Sequence, residues 1–130
     1  MSPAATDDRT LPADPRPVII ADGDRHVLEG GRCVACGHAL ALRLPRCTRC
    51  RGEVAPARFG PGGAIWSFTV VHVAARPGDT LPYTLAYVDL DDGPRLLAHV
   101  DGAGDAVRVG SRVDLAATPA NGDPTVELVP

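Results

Sequence analysis

A chain of 130 residues with 45% hydrophobic content and mean hydropathy near zero has room for one ordinary domain or two very small ones. No apolar run approaches the roughly 18 residues of a membrane-spanning helix. The formal net charge of −3 is segregated: residues 1–31 carry six acids and three arginines, residues 32–58 six arginines against Glu53, and residues 59–130 nine acids against four arginines, with no lysine anywhere. A basic centre on an acidic body argues against a long polyanion as ligand and for a local anionic partner.

The first 17 residues hold four prolines and Asp7-Asp8-Arg9 without apolar periodicity, which predicts a flexible tail, extended here to residues 1–25. Its start lacks the basic and apolar regions of a signal peptide, so it predicts no targeting role. Val18-Ile19-Ile20 is an apolar run suited to a strand or an anchoring segment, and Asp22-Gly23-Asp24 suits a turn. These aspartates lack the longer loop and distal glutamate of an EF-hand.

Residues 26–60 contain all four cysteines, as Cys33-Val34-Ala35-Cys36 and Cys47-Thr48-Arg49-Cys50. Two C-x-x-C turns facing each other supply four thiolates, the donor set of a closed tetrahedral Zn²⁺ site, and iron takes the same ligands. Gly37 after the second cysteine suits the backbone turn such a knuckle needs. Two disulfides would suit a secreted chain, and a redox pair would explain only one of the two motifs. Thiols kept for metal suggest a reducing cytoplasm. The ribbon is too small to fold on apolar burial alone and depends on its metal. Ala39 to Pro45, with leucines at alternate positions, predicts a short strand between the knuckles, and His38 is a minor ligand candidate beside a site that four cysteines already fill.

Gly60-Pro61-Gly62-Gly63 marks the boundary of a second region, residues 61–130. Ala64 to Val73 is a long β-run with apolar residues on both parities, which predicts that both of its faces are covered somewhere. Tyr83–Leu90 and Arg95–Val100 predict a hairpin about Asp91-Asp92-Gly93-Pro94. Val107–Gly110 leads into Val113–Ala116, and Asn121-Gly122-Asp123 turns into Thr125–Val129. Five short strands with a glycine-rich connection describe a small Greek-key barrel of the OB type, or a small β-sandwich. No segment shows helical periodicity.

The order of these parts, both knuckles, then Gly63-Ala64-Ile65-Trp66-Ser67-Phe68-Thr69-Val70-Val71-His72 and Tyr83-Thr84-Leu85-Ala86-Tyr87-Val88-Asp89-Leu90-Asp91-Asp92-Gly93, resembles the rubredoxin-like zinc-ribbon/OB-fold proteins that accompany thiolases. The likeness covers about residues 28–130. Ile20 to Leu28 departs from the basic, aromatic-containing helix that usually precedes the family's ribbon. The resemblance implies a mainly β protein, a rubredoxin-like zinc ribbon followed by a five-stranded OB-fold barrel. It also implies a non-catalytic subunit in a hetero-oligomer with a thiolase-like enzyme. There it would support assembly and help shape an acyl-CoA channel.

The residues agree with an accessory role. Committing Cys33, Cys36, Cys47 and Cys50 to metal leaves no thiol nucleophile, and Ser2, Ser67 and Ser111 lie in no nucleophile-elbow context. His72 and His99 are expected within strands, and Asp89, Asp91 and Asp92 as solvated turn residues. A nucleic-acid-binding ribbon/OB module is the alternative. Such modules combine aromatic platforms with a positive groove, whereas this body carries Trp66, Phe68, Tyr83 and Tyr87 on a formally acidic segment.

Overall fold

The computed structural model describes residues 14–102 and 104–130. They form two antiparallel-rich assemblies in sequence order, a small sheet and a closed barrel. The small sheet holds β1 (Val18–Asp22), β2 (Arg25–Cys33), β3 (Ala39–Leu40) and β4 (Val54–Phe59). β2 is its spine. Leu28 and Glu29 pair with both β1 and β4, and Gly31 and Arg32 with both β3 and β4, so β1 and β3 share one edge of β2 and β4 takes the other.

Two expectations for the small sheet need correction. Residues 18–25 are not tail: Val18-Ile19-Ile20 pairs with Glu29-Leu28-Val27, and the hairpin closes through Gly23-Asp24. An apolar, β-branched run gains more from this pairing than from solvent. Residues 1–13 of that expected tail lie outside the described residues. The strand expected over Ala39–Pro45 shrinks to Ala39–Leu40, because the chain bends where the Leu44 N–H donates to the Leu42 carbonyl, just before Pro45.

The barrel comprises β5 (Gly62–Val71), β6 (Tyr83–Leu90), β7 (Arg95–Asp101), β8 (Arg112–Leu115) and β9 (Thr125–Leu128), closed in the order β5-β6-β7-β9-β8. Only β7 and β9 run parallel. Closure selects the OB-type barrel over the sandwich. Alternation places Ala86, Val88 and Leu90 of β6 and Leu96, Ala98 and Val100 of β7 inside, with Ile65, Val113, Leu115 and Val126 from the other strands. The expected strand start at Val107–Gly110 is a turn instead. Val107 is buried in the core, but the Arg108 N–H donates to Ser111 Oγ and the Ser111 N–H to the Arg108 carbonyl, which holds the chain curled until Arg112. His72 falls just beyond β5 rather than within it.

The sheet and barrel share one core. Leu28, wholly buried, and Phe59, 5% exposed, belong to the same apolar cluster as the barrel interior. Arg32 fastens the junction: its guanidinium lies 5.2 Å from the centre of the Phe59 ring and donates to the Gly37 and Asp92 carbonyls, both at 2.9 Å. On the far side, Arg16 donates to the Asn121 carbonyl at 2.7 Å and to Asp123 at 3.0 Å, so the segment before β1 is strapped to the β8–β9 turn. Asp123 also accepts from Arg76, and these guanidiniums, Arg76 foremost, hold its carboxyl below the usual range.

Candidate metal centre

Cys33 ends β2, and the chain reverses at once: the Gly37 N–H donates to the Cys33 carbonyl at 3.0 Å and the Cys33 N–H to the His38 carbonyl at 3.0 Å. The second knuckle repeats this pattern, with the Arg51 N–H on the Cys47 carbonyl and the Cys47 N–H on the Gly52 carbonyl, both at 2.9 Å. The residue after each C-x-x-C takes a positive φ, 79° at Gly37 and 66° at Arg51. A glycine marks the first turn in the sequence. The second carries no such signal, and knuckle geometry forces an arginine into the left-handed region.

The two turns bring all four Sγ atoms within 4.8 Å of one another. Cys33 and Cys50 are 3.4 Å apart and Cys36 and Cys47 3.7 Å apart. These are four separate thiols. A tetrahedron with metal–sulfur bonds of about 2.3 Å has edges of about 3.8 Å, so the donors fit one thiophilic ion. Cys33 and Cys47 are buried and Cys36 and Cys50 exposed, which leaves the cluster at the surface of the small sheet. His38 is not among the clustered donors; its carbonyl serves the first turn.

Backbone amides draw the two buried thiols, Cys33 and Cys47, toward thiolate. The Cys36 N–H, 3.4 Å from Cys33 Sγ, is the largest influence drawing that thiol down to about 6. Burial raises the Cys47 thiol, but the N–H groups of Cys50 and Arg49 outweigh it and the net shift is downward. At Cys50 the Gly52 N–H also lowers, yet thiol hydrogen bonds shared with Cys33 and Cys36 prevail and push it up to about 12. Four adjacent sulfurs thus resist simultaneous ionisation until a cation joins them. Gly52 closes the site: a Cβ there would stand 3.0 Å from Cys33 Sγ and 3.2 Å from Cys50 Sγ. Gly52→Val should therefore weaken metal retention against a chelator by about tenfold or more while leaving the barrel folded, as read by competition with a chromophoric indicator.

The other candidate residues separate from one another. Asp89 pairs with Arg95 and Asp91 with Arg112, so these acids are ion-paired rather than gathered around a cation. His99 lies in β7, stacked on Tyr83 at 5.0 Å, with Nε2 3.4 Å from Asp123. That His–Asp contact is tied into the Arg16 and Arg76 pairs. Ser111 Oγ accepts the Arg108 N–H, and Ser2 lies outside the described residues. Among the described residues, no carboxylate pairs with Arg43, Arg46, Arg49 or Arg51. Of these four, Arg43 lines a cavity of about 460 Å³, together with Glu29, Gly30, Pro56, Ala57 and Arg58.

Known proteins supply a further set of likenesses. The family described as the ChsH2 C-terminal OB-fold domain matches residues 57–118. A benzoylsuccinyl-CoA thiolase subunit BbsA of Geobacter metallireducens is 32% identical over 75% of this chain, and the chain spans 66% of that subunit's length. A DUF35 domain-containing scaffold protein of Methanothermobacter thermautotrophicus is 30% identical over 70% of this chain and 71% of its own. Among solved structures, the Ltp2-ChsH2(DUF35) aldolase superposes with a TM-score of 0.63 at 27% identity, covering 78% of this chain and 84% of that one.

Proposed function

The chain belongs to the DUF35-domain family, and we propose that it is a non-catalytic accessory subunit of a thiolase-superfamily enzyme acting on acyl-CoA. The observation that carries this reading is the agreement of relatives: one is a thiolase subunit, one a scaffold protein, and one the Ltp2-ChsH2(DUF35) aldolase. In this reading residues 26–60 are the ribbon and residues 61–130 the OB domain. Cys33, Cys36, Cys47 and Cys50 hold one structural Zn²⁺, or iron in its place. Bound there, the ion neutralises and orients four thiolates and offers no open coordination position. The partner carries the reacting groups, and the complex works in the cytoplasm. Among the described residues no helix is long and apolar enough to cross a membrane.

The unpaired arginines give the ribbon its part in the assembly. Arg43, at the cavity lined by Pro56 and Ala57 of β4, and Arg46, three residues on, are both exposed and suit either an acidic face of the partner or the phosphates of bound CoA. The formal charge of residues 59–130, nine acids against four arginines, opposes a nucleic-acid backbone. Exchanging both arginines for glutamate distinguishes the two roles. A protein contact predicts slower association, most marked at low salt, in stopped-flow mixing with the thiolase-like subunit. A CoA contact predicts intact assembly with a raised KM for acyl-CoA. Unchanged assembly and unchanged KM would remove the ribbon from the proposal.

A further inference from the structure

The long strand of the barrel is only half used. On one side β5 pairs with β6 along its whole length, from Gly63↔Leu90 to Val71↔Tyr83. On the other it pairs with β8 only at Gly62–Ala64, and Ile65 exchanges backbone bonds with Ser111 and Gly110. From Trp66 to Val71 that second edge has no backbone partner among the described residues.

The same six residues put apolar side chains on both faces, Phe68 and Val70 on one, and Trp66 and Val71, interspersed with Ser67 and Thr69, on the other. Phe68 and Val70 stand in register with buried Ala86 and Thr84, which puts them on the inner face, yet they are 38% and 40% exposed. A bulge between Ile65 and Ser67 turns Trp66 outward, 51% exposed, edge-on to Tyr87 and under the Arg95 guanidinium at 3.8 Å. A strand apolar on both faces has the pattern of a central strand. Edges left open in soluble proteins are guarded by charge or proline, and Trp66–Val71 contains neither.

We propose that the free edge of β5, Trp66 to Val71, receives an extended segment of the thiolase-like subunit as an added β-strand. The inference rests on the accessory-subunit reading above. An open row of N–H and C=O groups is matched by polypeptide rather than by CoA or nucleic acid. Charge selects the partner over a second copy. Pairing two copies along this edge would set two formally acidic barrels together, and Asp101 and Asp105 line the approximately 580 Å³ cavity beside Val70. The incoming strand accordingly carries apolar residues at alternate positions and cationic residues at its flank.

The test is amide hydrogen exchange on the full chain, alone and in complex with the thiolase-superfamily subunit encoded in the same genome. Strand addition protects alternate amides between Trp66 and Val71 about tenfold or more in the complex. Val70→Lys should weaken the complex by about tenfold or more without shifting the melting of the chain alone. If Val70→Lys fails to fold, the exchange pattern of the natural complex still decides. A stable complex in which these amides exchange as in the free chain overturns the strand and leaves the accessory reading standing. Protection that appears in the chain alone, together with a dimer mass, assigns the edge to a second copy and also overturns it. Failure to form any complex overturns both.

Discussion

Cys36→Ser should reduce bound metal from about one equivalent per chain to nearly none and open the ribbon while sparing most of the barrel. The large effect follows from what the small sheet lacks. Cys33, Cys47, Val27 and Leu40 are buried there, but β3 has only two residues and the link from Ala41 to Arg46 has no regular pairing beyond one bridge to Glu53. Metal coordination supplies the missing cohesion, on the order of 10 kcal/mol in comparable peptides. Serine leaves three thiolates and a poor donor in place of a closed set. Arg43, Arg46, Arg49 and Arg51 are already exposed, and freed loops let their backbone enter a protease cleft, so trypsin should cut within residues 43–51 at least tenfold faster. Elemental analysis and a proteolysis time course read both effects. Acid should mimic the variant: each donor must lose its proton to bind metal, so affinity falls as pH falls, with the Cys50 thiol, pushed up to about 12, taking up a proton first and the Cys33 thiol, held down to about 6, last.

Leu28→Ala should be the most damaging change away from the metal, destabilising the chain by about 2–5 kcal/mol. Leu28 is wholly buried where the small sheet meets the barrel, paired with Phe59 across β2–β4 and packed into the barrel cluster. Truncation leaves a cavity whose walls include both assemblies, and Arg32 and the hairpin at Gly93 prevent easy collapse. Melting should fall by roughly 10 °C or more. Metal content at room temperature should hold, because the knuckles begin five residues further along β2. Thermal denaturation paired with metal analysis separates this variant from Cys36→Ser. A loss of metal with no loss of barrel stability would contradict the shared core.

The contrast between these two residues shows what the sequence makes visible. Cysteine ligation is local chemistry at fixed spacing, so Cys33, Cys36, Cys47 and Cys50 are legible one by one, and the structure brings all four together. β6 and β7 are legible because alternation along each strand is set by the barrel wall they build. Leu28 and Phe59 have no such mark: their role depends on sheet and barrel docking, a contact between residues distant in sequence. β1 was legible in part, since Val18-Ile19-Ile20 suits a strand, but its partner β2 carries the glycine pair Gly30-Gly31 and reads poorly as a strand, so residues 18–25 fell with the tail. Arg51 shows a third kind of gap, a left-handed residue imposed by the knuckle without a glycine to announce it. The apolar residues on both parities of β5 predicted cover on both faces, and the chain itself supplies only part of that cover.

The accessory-subunit reading is tested most directly by reconstitution with three preparations: this chain alone, the thiolase-superfamily subunit alone, and the two co-expressed. Each is assayed for acyl-CoA turnover and sized by light scattering. The account predicts no turnover by this chain alone, a defined hetero-oligomer on co-expression, and activity or solubility of the partner that falls at least tenfold without it. Turnover by the purified chain alone, or a partner equally active and soluble in its absence, would contradict the account.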